Sequence, residues 1–156
     1  MLVAVGQRLP TWAEQAFESF AKRLKGGLRL EIKAVDAEGR SGKAIPAILS
    51  AERQRIEAAI RAGCGRSVHK VVLDERGDSI STLELAGKLQ SWQMGGSDVA
   101  LLLGGPDGLD PELKSTAHER IRLSELTLPH ALARVLLIEQ LYRAWSINNN
   151  HPYHRE

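Results

Sequence analysis

Alternating strand and helix signals predict an α/β fold with a mostly parallel sheet flanked by helices. Leu2-Val-Ala-Val5 and Val99 to Leu103 are short apolar runs, the pattern of strands covered on both faces, and Val68 to Leu73 is a third expected strand. Between them lie longer segments with apolar residues at helical spacing. The chain of 156 residues, 43% hydrophobic and 26% charged, suffices for one ordinary core. Residues 1–156 are therefore expected to form a single domain.

Leu2 to Val5 is expected to be the first, buried strand. Thr11 and Glu14 stand three apart as in a capping box, and Phe17, Phe20, Ala21 and Leu24 follow at helical spacing. Gly26-Gly27 is expected to stop that helix. Leu28, Leu30, Ile32 and Ala34 alternate with Arg29, Glu31 and Lys33, which predicts a half-exposed strand near an edge. A loop from Asp36 to Lys43, with Arg40, leads to a helix carrying Ile45, Ile48, Leu49, Ile56 and Ile60 and ending at Gly63. A strand follows over Val68 to Leu73.

Ser81 and Glu84 form a second capping box, ahead of Leu85, Leu89 and Trp92 on one helical face. Val99 to Leu103 is the expected central strand. Asp110-Pro111-Glu112 opens a short helix, with Asp as N-cap and Pro at the first helical position. Ile121 to Leu123 is the expected last strand, and Pro129 opens a final helix to about Ile147. Between Ala131 and Leu141 that helix is apolar nearly all round, so it needs cover on more than one side. The sheet is one expected cover and a second copy of the chain the other, which predicts a homodimer.

Composition narrows the setting. The N-terminus, Met1-Leu-Val-Ala-Val-Gly6, lacks the basic lead and long apolar run of a signal peptide. No stretch approaches the roughly 20 apolar residues that span a bilayer. A single cysteine, Cys64, excludes an internal disulfide and fits a cytoplasmic protein. The net charge of +2 does not by itself point to nucleic acid.

Chemistry concentrates in the C-terminal third. Leu101-Leu-Leu-Gly-Gly-Pro-Asp-Gly-Leu109 empties a strand into a glycine loop, where backbone can approach a flat ligand. It is neither a phosphate-gripping loop nor a dinucleotide fingerprint, and an ordinary turn is the competing reading. Position favours a site, because ligands gather beyond the C-terminal ends of central strands in open α/β sheets. Leu73 and Leu103 end two such strands, and Leu123-Ser-Glu-Leu-Thr-Leu128 leaves a third. Arg134 shares a helical face with Ile138, Leu141 and Trp145, either snorkelling or aimed into a site. Glu139 and Arg143 stand four apart as a salt-bridge pair. His151, Tyr153, His154 and Arg155 pair a stacking ring with a titratable base and a cation, which suits nucleic acid better than metal.

Leu102 to Leu109, Leu126-Thr-Leu-Pro-His130, Arg134-Val-Leu, Glu139 to Trp145 and Asn150-His-Pro-Tyr-His154 together resemble one family. It is that of the bacterial large-subunit rRNA pseudouridine-N3 methyltransferases, of the SPOUT class. The likeness includes Val3-Ala-Val-Gly6 and runs the length of the chain, most specific in the C-terminal third and loose between Asp36 and Trp92. Departures lie mainly in the loop around Arg40 and at Ser97-Asp98.

The resemblance implies a C-terminal trefoil knot and a homodimer with cofactor pockets at the subunit interface. It implies S-adenosylmethionine as cofactor, met by Leu73, Gly104, Gly105, Leu123, Ser124, Glu125, Leu126, Thr127 and Leu128. The implied substrate is the pseudouridine of helix 69 in 23S rRNA, within the 70S ribosome, with Arg143 and His151 on the RNA. His154, Arg134, Arg155 and Tyr153 are the expected catalytic residues: cations favour the N3 anion and a neutral His154 accepts the proton. No metal or membrane is required. A non-catalytic ribosome-binding or assembly factor is the rival reading, and a nucleotide hydrolase is disfavoured by the missing loop lysine.

Overall fold

The computed structural model describes residues 1–6, 9–25 and 28–154. In chain order the elements are β1 (Leu2–Val5), α1 (Thr11–Ala21), β2 (Ile32–Val35), α2 (Ile45–Gly63) and β3 (Val68–Ser79). They continue as α3 (Thr82–Met94), β4 (Asp98–Leu103), α4 (Pro111–Ser115), β5 (Glu119–Arg122) and α5 (His130–Asn148). Two compact units emerge, each gathered from separate stretches of chain. One comprises Met1–Arg8, Glu31–Asp78 and Ser97–Arg122; the other comprises Leu9–Leu30, Ser79–Gly96 and Leu123–Glu156.

The first unit holds the sheet, in the order β2-β1-β4-β3-β5. Parallel registers set Ala4 opposite Ala34 on one side and Leu103 on the other. The β3/β4 ladder is also parallel and ends where Leu73 faces Leu103. β1 is buried throughout, as its unbroken apolar run requires. Ile56, Ala59 and Ile60 of α2 join Val3, Val5, Val35, Val72 and Leu102 in one core, closed by Leu113 of α4.

Two strands differ in length from the sequence expectation. β2 is the edge strand that alternation predicts, but only Ile32 to Val35 pair, and Leu28 and Leu30 lie outside it. β3 runs past Leu73 to Ser79, because its polar second half continues beside β5. Backbone pairing there needs no apolar side chains. It needs Gly77, whose Cβ would fall 2.7 Å from the Ile121 carbonyl carbon.

The second unit packs α5 against both α1 and α3. Trp145 Nε1 donates to the Lys25 carbonyl at 3.1 Å, and Asn148 Nδ2 to that of Ala86 at 2.9 Å. Helices of the same chain thus supply much of the cover that the sequence reading assigned to a second copy. Leu137, Ile138 and Leu141 are buried, whereas Leu132 stays 43% exposed.

Helix ends follow local chemistry with one correction. The Thr11–Glu14 capping box does not form: Pro10 is the N-cap, and its carbonyl accepts from Ala13 and Glu14 at 2.9 and 3.0 Å. α1 ends at Ala21, ahead of Gly26-Gly27, which lie outside the described residues. The second box is present. Ser81 Oγ accepts from Glu84 N at 3.2 Å, and Glu84 Oε2 accepts from Ser81 N at 2.6 Å. Asp110 caps α4 ahead of Pro111, as expected. Among the described residues no helix is long and apolar enough to cross a membrane. Ser81→Ala should remove the α3 cap and cost about 1 kcal/mol in urea unfolding, with the native strand content unchanged by circular dichroism.

Candidate functional site

The β3/β4 pairing stops at Leu73 and Leu103; β3 itself continues to Ser79, and β4 passes directly into Gly104-Gly105-Pro-Asp-Gly108. Gly108 N donates to the Gly105 carbonyl at 2.9 Å, closing a four-residue turn in which Gly108 holds φ 82°. A Cβ on Gly104 would fall 2.4 Å from the Gly108 carbonyl oxygen. On Gly105 it would meet Val5 Cγ1 at 3.2 Å and Glu52 Oε2 at 3.4 Å. The sequence reading gave these glycines to close approach by a ligand. The structure gives them a nearer reason: the turn and its own neighbours fill the space. Gly105→Val would therefore disturb the fold as well as any ligand.

Ionic contacts hold this turn and the loop after β2. Arg40 places Nε and Nη2 on Asp107 Oδ2, both at 2.9 Å. Glu38 pairs with Lys43 and Arg55, and hydrogen bonds from these two hold its carboxyl below the usual range. Arg55 also donates to the Asp36 carbonyl at 2.8 Å. Arg53, one residue after Glu52 on α2, reaches Glu112 at 2.7 Å and Asp110 at 3.5 Å at the start of α4. Lys114 of α4 pairs with Asp74, the residue after Leu73. Burial alone would raise the Asp74 carboxyl; Lys114 and the Arg76 amide, at 2.8 Å, outweigh it and hold the group low.

In the second unit, Arg134 is 2% exposed on α5. That excludes a snorkelling arginine, which keeps its head in water. Burial draws the guanidinium down from its ordinary value, yet arginine keeps its charge in proteins. Burial first, then the Arg134 charge, also lowers His130 one turn earlier.

The tail is packed. Tyr153 donates its hydroxyl to Glu139 Oε1 at 3.0 Å, and its ring sits 4.7 Å from that of Tyr142. Guanidinium groups of Arg23 and Arg143 each lie 5.0 Å from the Tyr153 ring centre. Burial and then Glu139 push the phenol up, so it serves as a donor and not a base. Arg143 places Nε and Nη2 on Glu139 Oε1 at 3.0 and 2.6 Å, the expected i, i+4 pair. His151 is held by its amide on the Ser146 carbonyl at 2.9 Å, while its Nδ1 accepts from Tyr153 N at 3.2 Å. His154 donates its amide to the His151 carbonyl at 3.3 Å. Among the described residues its Nδ1 is buried with no hydrogen-bond partner. Arg155 lies outside the described residues.

In the run from Leu123 to Leu128, Ser124 Oγ accepts from Leu126 N at 2.9 Å, which turns the chain and leaves Leu126 77% exposed. Glu125 and Thr127 are exposed, and Leu123 and Leu128 half-buried.

A family model described as "Predicted SPOUT methyltransferase" matches residues 1–154. The chain belongs to the SPOUT methyltransferase family. Among its relatives, the ribosomal RNA large subunit methyltransferase H of Albidiferax ferrireducens is 62% identical over 156 residues, covering 100% of this chain and 98% of its own length. The protein of the same name from Paracidovorax citrulli is 60% identical over the same span and coverage. A probable methylase family protein from Haemophilus influenzae Rd KW20 superposes with a TM-score of 0.57 at 15% identity, over 99% of this chain and 69% of that one. TrmJ from Z. mobilis ZM4 gives a TM-score of 0.51 at 19% identity, over 92% and 68%. These two likenesses establish the fold alone.

Patterning overlooked one residue of this SPOUT methyltransferase that its sequence does betray. Glu52 falls four residues after Ile48 and four before Ile56, a carboxylate on the apolar face of α2. It is 2% exposed. Asp74–Lys114 gives no such signal, because the partners stand 40 positions apart in the chain. Among the described residues no group of His, Cys, Asp and Glu is placed to hold a metal.

The Asp74–Lys114 pair sets a pH dependence. Its stabilisation is present above the unfolded-state carboxyl value of 3.8 and is lost as pH falls through the lower folded-state value. Lys114→Met should cost about 2 kcal/mol at pH 7, on the scale of a charged hydrogen bond. Urea unfolding at a pH below both values should show that difference shrinking.

Proposed function

We propose that this SPOUT methyltransferase acts as one domain over residues 1–156. It transfers a methyl group from S-adenosylmethionine to N3 of a pseudouridine in helix 69 of 23S rRNA, within the 70S ribosome. The observation that carries the reading is its full-length identity, 62% and 60%, with two ribosomal RNA large subunit methyltransferases H.

The residues present fit the cofactor. Leu73 and the half-buried Leu103 lie where the β3/β4 pairing stops, and their apolar, uncharged side chains suit an adenine ring. The Gly104-Gly105 turn offers backbone groups, and the family resemblance assigns Leu123, Ser124, Glu125, Leu126, Thr127 and Leu128 to the cofactor as well. When bound, S-adenosylmethionine supplies a methyl group already activated on a sulfonium.

The protein's own part is alignment and proton management. His154 takes the N3 proton, supported by a ring nitrogen without a partner among the described residues. Arg134 supplies a fixed cation that favours the N3 anion, and Arg155 a second. Tyr153 acts by fixing the tail through Glu139 and the rings around it. Arg143 and His151 line the RNA side; Nε and Nη2 of Arg143 are already committed to Glu139. The unit is a homodimer with cofactor pockets at its interface and a C-terminal trefoil knot, and it works in the cytoplasm. Exposed Leu132 and Leu126 support the dimer.

The test is mass spectrometry of 23S rRNA from a strain lacking the gene, complemented with the parent chain or His154→Ala. The helix 69 methyl should be absent, return with the parent, and form about 100-fold more slowly with the variant, the scale of a lost proton-transfer group. Methylation at the parent rate by His154→Ala would remove the base assignment. An unchanged rRNA in the deletion strain, with no S-adenosylmethionine binding by the protein, would favour a non-catalytic ribosome-binding factor. Light scattering of the parent should give twice 17.1 kDa.

A further inference from the structure

Glu52 is a buried carboxylate where a hydrophobic residue would suit the apolar face of α2. Taking such a charge out of water is unfavourable unless hydrogen bonds or pairing compensate it. Its contacts indicate what is gained. Oε1 accepts from the amide of Glu38 at 3.0 Å, in the loop after β2. The same carboxylate lies 3.4 and 3.7 Å from the point where a Gly105 Cβ would stand. One side chain therefore meets the segments leaving two strands, β2 and β4, that flank β1.

Three side chains lie against the turn, one of them bonded to it. Glu52 backs Gly105, Arg40 grips Asp107 at 2.9 Å, and Lys114 Nζ lies 3.7 Å from the Cβ position of Gly108. Arg40 belongs to the loop that Glu52 fixes through Glu38, so the first two restraints are coupled. α2 organises them within one turn of helix, since Arg55 also holds Asp36 and Glu38.

We infer that Glu52 is a positioning residue for the cofactor turn, holding Gly105 to Gly108 and the 36–43 loop in the geometry that binds S-adenosylmethionine. This rests on the reading of that turn given above. A preformed loop binds more tightly because less ordering remains to be done on binding. The effect belongs in cofactor affinity and not in the methyl-transfer step.

The experiment measures S-adenosylmethionine affinity by calorimetry, with kcat at saturating cofactor, for the parent, Glu52→Ala and Glu52→Gln. Glu52→Ala should weaken binding at least about tenfold and change kcat less than about twofold. Glu52→Gln keeps an oxygen for the Glu38 amide and should recover most of the loss. Arg40→Ala, a change at an exposed residue, should weaken binding about threefold, and is decisive if Glu52→Ala does not fold. Parent affinity in folded Glu52→Ala, or in Arg40→Ala when that variant stands in, overturns the inference alone. A parent chain that binds no S-adenosylmethionine, or binds it without hydrogen-exchange protection of residues 104–108, overturns the reading of the turn and the inference with it.

Discussion

A parallel ladder buried on both faces leaves its strand ends as the one place where backbone and polar side chains can gather. In this chain β4 lies between β1 and β3, and the β3/β4 pairing stops at Leu73 and Leu103 together. Beyond that line the sequence changes from aliphatic to Asp74 on one strand and Gly104-Gly105 on the other. The polar structure of the first unit is built on this edge. Where that pairing stops, Lys114 of α4 holds Asp74 while its Nζ lies 3.7 Å from the Cβ position of Gly108.

Around that edge, charge does work that apolar packing cannot. The turn from Gly105 to Gly108 and the loop from Asp36 to Lys43 bury little apolar area, so propensity alone would leave them loose. Arg40–Asp107, Glu38 with Lys43 and Arg55, and Glu52 under Gly105 tie them together. Exposed pairs contribute little singly. Glu52 differs because it is buried and directed at backbone, where geometry is fixed more firmly than at a solvated ion pair.

The second unit uses aromatic packing for a similar end. Tyr142 stacks with Trp145 at 5.6 Å and meets Tyr153 edge-on at 4.7 Å, with Arg23 at 4.3 Å over the Tyr142 ring. A segment after a last helix would ordinarily fray. Here Asn150 adopts φ 51°, reversing the chain so that His151 and Tyr153 return onto α5. Tyr153 is thereby a packed anchor, and its removal would cost more than the loss of an exposed residue.

Strand order along the chain, both central strands, the span of α2, the Ser81 cap and the Asp110-Pro111 start were legible in the sequence. Each rests on residues near one another in the chain: an apolar run, a helical period, a cap three residues from its partner. The family was legible too, through motifs in the C-terminal third. The reason for Gly104, the length of β3, the cover on α5 and the role of Glu52 were not. They depend on what lies opposite: the Gly108 carbonyl, the Ile121 backbone, helices α1 and α3, and the Glu38 amide. Arg134 stands between these cases, since its helical face was readable but its burial was not. Local periodicity determined which elements form; only their packing decided which polar groups were taken out of water and fixed.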